Sequence, residues 1–194
     1  MNKNALLKDG TEVLFRHLKK KDKNQLSIFF KSLPNYDRVY LRRDITDKET
    51  VRQIIKTSKS GENPKIIALD KSGIIAYGLL ELDNRHWKKH SAEIRLLISK
   101  DYRRKGLGMH MARELYSLAI NKKVEEIIVK MMRPQKAAIS IFKRLRFKQE
   151  AVIPDYVMDL DGNKQDLILM CCDVNEMWKE LEEYLKDSDW QRTR

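Results

Sequence analysis

A short basic turn between a strand-like stretch and a helical stretch is the part of this sequence best suited to hold an anion. It runs RRKGLG from Arg103 to Gly108. Glycine lets a backbone approach a ligand closely because it has no Cβ, and the free N–H groups at the start of a helix attract negative charge. The side chains of Arg103, Arg104 and Lys105 add positive charge at the same place. Together these features suit a pyrophosphate group.

Two common phosphate-binding patterns do not fit this turn. No Lys-Ser or Lys-Thr pair follows Gly108, so the turn is not a Walker loop, and the third glycine of a dinucleotide-binding fingerprint is missing. Taken alone, the stretch also fits an ordinary strand-to-helix turn with arginines on the surface. The motif by itself leaves both interpretations open.

Hydrophobic periodicity predicts the elements that position this turn. Strand-like stretches cover residues 12–18, 64–70, 73–83, 91–98 and 125–131, and a hairpin turning at Asp161-Gly162 joins 151–160 to 165–174. Helical spacing covers 21–33, a segment through Val51 and Ile55 with Thr46 as its N-cap, 106–121, and a segment that follows Pro134. This alternation of strands and helices predicts a mixed α/β sheet.

The composition bounds the functional classes. The 194 residues fit one domain and carry a net charge of +12. No apolar run is long enough to cross a bilayer, and residues 1–10 lack the apolar core of a secretion signal, so we expect a cytoplasmic protein with no membrane partner. The charge attracts polyanions, which keeps nucleic acid as an alternative partner, although no nucleic-acid-binding motif is present.

The cysteines, the histidines and the C-terminal stretch indicate no further chemistry. The four histidines lack the spacing of metal ligands, and Cys171 and Cys172 are adjacent, so we expect no metal site. Residues 175–190 predict an acidic amphipathic helix with Met177, Trp178 and Leu181 on its apolar face. We expect this helix to be structural, packing on the rest of the chain or on a second copy.

Two motifs resemble those of the GCN5-related N-acetyltransferase (GNAT) superfamily. The acetyl-CoA motif of that family, Arg or Gln, two residues, Gly, one residue, then Gly or Ala, matches the stretch from Arg103 to Gly108. Residues 135–147 resemble its second signature, with Gln135, Phe142 and Arg146 where the family usually has Asn, Tyr and Gly. The element order also agrees, and the resemblance spans residues 11–174 of a single domain, 1–194.

The resemblance implies an α/β fold of the GNAT type, with a mixed, mostly antiparallel sheet, splayed central parallel strands and flanking helices. It also implies an N-acetyltransferase with acetyl-CoA as cosubstrate and no metal. The backbone around Leu97 would pair with pantetheine and polarise the thioester carbonyl. The residues expected to bind the cosubstrate are Leu96, Leu97, Ile98, Arg103, Arg104, Lys105, Gly106, Leu107, Gly108, Met109, Gln135 and Phe142.

Acetyl transfer to an amine needs a base, because a protonated amine is not a nucleophile, and Glu93 is the best candidate. It lies five residues before Ile98, where many family members carry a glutamate. Desolvation beside bound acetyl-CoA predicts a pKa raised toward neutrality. The alternative is a structural carboxylate paired with a nearby arginine, with Glu81 as the reserve base. Phe142 cannot protonate the departing thiolate, so water or Tyr156 is the expected acid.

The acceptor is expected to be a primary amine, used by direct transfer in a ternary complex. Segment 36–43 lies where family members build the acceptor wall, which makes Tyr36, Tyr40 and Arg43 the expected acceptor-binding residues. Its positive charge suits an acceptor with nearby carboxylates. Residues 8–10, 32–34 and 161–170 resemble the bacterial and archaeal protein-lysine acetyltransferase branch. A small-molecule amine acceptor and a catalytically silent acetyl-CoA-binding module remain alternatives, in a monomer or a homodimer.

Overall fold

An eight-stranded mixed sheet organises the protein in the computed structural model, which describes residues 2–39, 41–58, 62–83 and 86–176. The strands are β1 (Asn2–Leu6), β2 (Glu12–His17), β3 (Lys65–Asp70), β4 (Gly73–Leu82), β5 (Ser91–Ile98), β6 (Glu126–Met132), β7 (Lys148–Met158) and β8 (Lys164–Asp173). The α-helices are α1 (Lys23–Ser32), α2 (Asn35–Arg38), α3 (Lys48–Lys56), α4 (Leu107–Asn121) and α5 (Lys136–Arg144). Single 3₁₀ turns cover Lys20–Asp22, His86–Lys88 and Lys100–Tyr102.

The strands lie in the order β1-β2-β3-β4-β5-β6-β8-β7. Among the described strands only the central pair, β5 and β6, is parallel, and the other neighbouring strands run antiparallel. A parallel pair needs a crossover, which α4 supplies between these two strands. The mixed, mostly antiparallel sheet with a parallel central pair and flanking helices, as predicted from the sequence, is therefore confirmed.

The two faces of the sheet bury separate apolar cores. Helices α4 and α5 cover one face, where Met111 and Leu115 pack against strand residues such as Ile94. Helices α1 and α3 cover the other, where Phe30 and Val51 pack against residues of β3 and β4. Side chains alternate between faces along a strand, so the even-numbered residues of β5 face α4 and the odd-numbered ones face the α1 side.

The sequence predicts most of these elements and misses two of them. Strand β1 is polar and largely exposed, and it forms because it pairs along its whole length with β2. Helix α2 lies inside the stretch that the sequence indicated only as an acceptor wall. The proposed N-cap Thr46 is wrong, because Asp47 caps α3 by accepting a hydrogen bond from the Thr50 N–H at 2.8 Å.

The C-terminal helix predicted at 175–190 lies mostly outside the described residues, which end at Glu176. The residue just before this segment, Val174, is anchored to the rest of the protein. The Val174 N–H donates to the Glu125 carbonyl at 2.9 Å, and the Val174 side chain is buried.

Candidate active site

The two parallel strands separate part-way along their length. Their register pairs Ser91 with Glu126 and ends where Glu93 faces Ile128. Beyond that point β6 continues to pair with β8 as far as Met132, while β5 continues to pair with β4 as far as Ile98. A cleft therefore opens between β5 and β6, and backbone N–H and C=O groups along residues 94–98 face it without a strand partner on that side.

The basic turn lies at the open end of this cleft. Arg104 and Gly106 both have left-handed backbone conformations, with φ of 61° and 91°. The first bond of α4 runs from the His110 N–H to the Gly106 carbonyl, so the N–H groups of the preceding helical residues have no acceptor within the helix. Such a group of N–H donors at a helix start forms an anion site.

Gly108 has a packing role in the same turn. A Cβ built on it would lie 2.7 Å from Ile141 Cδ1 and 2.9 Å from Ile98 Cδ1. The absence of a side chain therefore lets the start of α4 approach both β5 and α5. The neighbouring side chain of Leu107 is fully buried in the core, whereas Met109 is partly exposed. Leu107 can therefore serve an anion only through its backbone.

The turn between β1 and β2 supports the basic turn. The Lys8 N–H donates to the Lys105 carbonyl at 3.0 Å, and Lys105 Nζ lies 2.9 Å from Asp9 Oδ2. The hydrogen bond from Lys105, followed by those from Thr11, lowers the pKa of Asp9 to about 2. Lys105 Nζ also lies 5.1 Å from the centre of the Tyr102 ring. The N-terminal residues thus fix the shape of a turn almost a hundred positions later.

Arg103 points toward the α1 side of the molecule. Its guanidinium donates to the carboxylate of Asp37 on α2, and a second contact reaches the Ile98 carbonyl at 3.4 Å. Of the three basic residues in the turn, Arg103 and Lys105 have carboxylate partners, and Arg104 is exposed.

Gln135 and Phe142 depart from the second GNAT signature, and both were expected to bind the cosubstrate. In the structure each of them has a partner nearby in the sequence. Gln135 Oε1 accepts a hydrogen bond from the Met132 N–H at 2.8 Å and closes the turn after β6. Phe142 is buried and packs edge-on against Phe147, with 5.1 Å between the ring centres. The third departure, Arg146, has a φ of 66°, which explains a preference for glycine there.

Glu93 lies at the closed end of the cleft among three cations. Its Oε1 is 2.5 Å from Arg42 Nη2 and 3.2 Å from Arg95 Nε, and its Oε2 is 3.2 Å from Lys130 Nζ. Only 13% of the Glu93 side chain is exposed. Glu81 faces Glu93 across β4 and β5, pairs with Arg95, and lies 4.0 Å from Arg42.

The pKa of Glu93 moves in the opposite direction to the sequence-based expectation. Burial raises it, but the charges of Arg42, Arg95 and Lys130 together with the Arg42 hydrogen bond outweigh burial, so the pKa lies below the ordinary value for glutamate. The expectation counted desolvation beside bound acetyl-CoA and omitted the cations from other elements, which decide the direction of the shift in this structure. Glu93 is paired with Arg42, Arg95 and Lys130, and its role as a base or as a structural carboxylate stays a prediction.

A cavity of about 320 Å³ opens beside Glu93. Carboxylates and ammonium or guanidinium groups from different elements share its wall. The charged residues that line it are Arg42, Glu81, Asp83, Lys88, Glu93 and Lys130.

The segment expected to form the acceptor wall, residues 36–43, reaches this cavity through Arg42. Arg42 contacts Glu93, whereas Arg43 is exposed and Tyr36, on α2, is 54% exposed. Tyr40 lies outside the described residues.

The tip of the hairpin formed by β7 and β8 contacts the same segment, residues 36–43. The Leu160 N–H at its tip donates to the Val39 carbonyl at 2.9 Å. Tyr156 lies on β7 and is 65% exposed, so its role as a proton donor stays a prediction.

Among the described residues, no group of three or more His, Cys, Asp or Glu side chains could hold a metal ion. Within the same part of the chain, no helix combines the length and apolar character needed to span a membrane.

A model of the acetyltransferase (GNAT) domain matches residues 12–148 of the sequence. The chain belongs to the GNAT acetyltransferase family. The match includes the splayed strands, the basic turn and Glu93. GNAT proteins use acetyl-CoA as the acetyl donor.

Solved GNAT structures share this fold. An acetyltransferase of the GNAT family from Streptococcus pneumoniae is 18% identical, with 83% of this chain and 99% of that chain covered and a TM-score of 0.72. A ribosomal-protein-alanine N-acetyltransferase from Brucella melitensis is 19% identical, with coverage of 82% and 98% and a TM-score of 0.72. A phosphinothricin acetyltransferase from Sinorhizobium meliloti in complex with acetyl-CoA is 18% identical, with coverage of 83% and 88% and a TM-score of 0.72. At these identities the similarity shows the fold alone. A comparison with curated proteins gave no match.

Sequence analysis missed Arg95 and Lys130 as members of the site of this GNAT protein. Arg95 could have been found, because residues two apart on a strand share a face. Lys130 gave no local signal, since it meets Glu93 only through the pairing of β5 with β6.

Proposed function

We propose that this GNAT protein is an N-acetyltransferase that moves the acetyl group of acetyl-CoA directly to a primary amine. The observation that supports this most is the position of Glu93, at the last paired residue before the strands separate. A thioester held in the cleft would end beside this carboxylate, which is ionised at neutral pH and lines a cavity open to an acceptor. Residues 11–174 form the catalytic core in this proposal.

Each part of the site has its own role in this reaction. Backbone N–H groups along Leu96 to Ile98 orient the pantetheine arm and donate to the thioester oxygen in the transition state. The turn ending at Gly108 holds the pyrophosphate through its N–H groups and Arg104. Glu93 accepts a proton from the acceptor amine, directly or through water. Tyr156 or water returns a proton to the thiolate.

Direct transfer is favoured over an acetyl-cysteine intermediate. Burial, followed by the charges of Glu126 and Glu150, raises the pKa of Cys171 to about 11, so its thiol is not ionised at neutral pH. Cys172 is buried in the core. A ternary complex of acetyl-CoA, acceptor and protein therefore suits the site.

The acceptor we propose carries a carboxylate near its amine, as in an acidic peptide segment or a small amino acid. Arg42 is 49% exposed and holds Glu93 at 2.5 Å. An acceptor carboxylate that binds Arg42 would draw this cation from Glu93, raise the pKa of Glu93 and make it a stronger base. A protein lysine with acidic neighbours and a small amino acid both satisfy this requirement.

A catalytically silent acetyl-CoA-binding module is the second candidate. The buried Phe142 and the three cations around Glu93 favour it, because both reduce the proton-transfer chemistry available. The two candidates differ in turnover and agree in acetyl-CoA binding.

The test is release of CoA in the presence of paired acceptors. Each pair has the same amine with and without a neighbouring carboxylate: lysine peptides flanked by glutamate or by glutamine, and small amino acids beside their amides. We expect turnover with the acidic member of each pair, and Glu93→Gln should reduce it by about 10²-fold with acetyl-CoA affinity preserved. Binding of acetyl-CoA without turnover on any amine would support the silent module.

A further inference from the structure

A lysine side chain belonging to the protein itself occupies the position expected for an acceptor amine. Lys130 Nζ lies 3.2 Å from Glu93 Oε2, and 34% of the Lys130 side chain is exposed. Lys130 lies on β6, two positions beyond Ile128, where the pairing with β5 ends. Its amine therefore stands on the far wall of the cleft, at the closed end, opposite the strand expected to orient the thioester.

We propose that Lys130 is acetylated by the protein itself, from acetyl-CoA, with Glu93 as the base. This inference rests on the proposed function. In the step, Glu93 accepts a proton from Lys130 Nζ, and the freed lone pair attacks the thioester carbonyl carbon. The amide C–N bond forms as the C–S bond breaks, the nitrogen gives its second proton through water to the departing thiolate, and Glu93 then releases the first proton to solvent. The products are an acetylated Lys130 and CoA.

Proximity gives this lysine its advantage over others. An amine held against the base and beside the thioester reacts as part of one molecule, which raises its effective concentration far above that of a free acceptor. Lys88 lines the same cavity, but its ammonium stands 5.2 Å from the centre of the Trp87 ring. Lys71 lies exposed in the turn between β3 and β4, far along the sheet from the closed end.

Acetylation would change the charge around the base. An acetylated lysine is neutral and cannot form an ion pair, so Glu93 would keep Arg42 and Arg95 as its cations and lose the third. In the modified protein, less positive charge would surround the Glu93 carboxylate, and an acetyl group would lie against the cavity wall. Self-acetylation would therefore alter acceptor turnover as well as label the chain.

The experiment is incubation of the full chain with acetyl-CoA and no acceptor, followed by intact mass and peptide mapping over time. We expect one acetyl group per chain on Lys130, at a rate at least about tenfold above that of Lys88 or Lys71. The rate constant should not change on dilution, because the reaction is within one chain. Lys130→Arg should abolish the fast label while keeping the positive charge, and Glu93→Gln should slow it without changing the label on Lys71.

The outcomes separate this inference from the proposed function. If Lys130 is labelled no faster than Lys88 and Lys71 while the paired acceptors turn over, self-acetylation is overturned and the acetyltransferase function stands. If neither Lys130 nor any acceptor is acetylated, both fall. A rate constant that rises with protein concentration overturns transfer within the chain. The melting temperatures of both variants establish that a lost label does not reflect a lost fold.

Discussion

Arg103, in the turn proposed to bind pyrophosphate, donates a hydrogen bond to Asp37 on α2, within the segment expected to form the acceptor wall. This ion pair joins the basic turn to α2 through side chains that are 34% and 24% exposed. Because the same guanidinium also reaches the Ile98 carbonyl at 3.4 Å, it ties α2 to the end of β5. Arg103 therefore connects the basic turn to both α2 and the end of β5.

Removal of this tie should affect the acceptor more than the cosubstrate. With Asp37→Asn we expect the KM for the acceptor to rise about tenfold, because α2 loses its charged anchor, while the Kd for acetyl-CoA changes less than about threefold. Arg103→Gln is the matched variant, and it should weaken the binding of acetyl-CoA as well as raise the KM for the acceptor. Steady-state kinetics and calorimetry measure the two effects. Equal changes in both constants for Asp37→Asn would show that the ion pair does not separate the two functions.

The acidic limb of the pH–rate profile should lie below the ordinary glutamate pKa. The cations around Glu93 outweigh its burial and lower its pKa from 4.5, so kcat/KM should hold as pH falls toward that value and drop only below it. Arg42→Gln removes one cation and should move the limb upward. Glu93→Gln should remove the limb, because glutamine does not titrate. An acidic limb above pH 4.5 in the wild type would contradict this account of the site.

The Glu93 carboxylate also makes the stability of the folded protein depend on pH. A lowered pKa in the folded state means that the contribution of Glu93 is present above the pH where an unfolded glutamate ionises and is lost as pH falls through the folded value. We expect the melting temperature of the wild type to fall more steeply below pH 4.5 than that of Glu93→Gln. Parallel curves for the two proteins would show that the ion cluster adds nothing to stability.

Two arginines with left-handed backbones provide a matched pair of variants for the anion site. Arg104 lies in the basic turn with φ of 61°, and Arg146 follows α5 with φ of 66°. Glycine relieves such backbone strain, so both substitutions should preserve or raise stability, by up to about 1 kcal/mol. Only Arg104→Gly should weaken acetyl-CoA binding, by about tenfold, because it removes a charged donor. Equal acetyl-CoA affinities in the two variants would remove Arg104 from the site.

Two truncations separate the parts of the C-terminal stretch. A chain ending at Asp173 loses the buried Val174 and the ion pair between Glu176 and Lys148, whereas a chain ending at Glu176 keeps both. We expect the shorter chain to lose about 2 kcal/mol of unfolding free energy relative to the longer one. The KM for acetyl-CoA should change little in either. A large change in that KM for the chain ending at Glu176 would make residues 177–194 a functional element.

The sequence by itself determines the basic turn and the elements on either side of it. Ile98 ends a strand, Gly106 begins a helix, and the charged residues between them are neighbours in the chain, so periodicity and glycine spacing are enough to predict an anion site. Glu93 and Arg95 share a face of β5 for an equally local reason. Family resemblance adds the cosubstrate and the expectation of a base at Glu93.

The tertiary structure alone decided the electrostatics of that base. Arg42 comes from the stretch between α2 and α3, 51 positions away in sequence, and Lys130 comes from β6, on the far side of the crossover helix. The parallel pairing stops at Glu93 and Ile128, and beyond that point β6 stays paired with β8 and β5 with β4. No local pattern encodes where two strands part or which cations meet there, and those contacts reverse the sign of the pKa shift that burial alone would give.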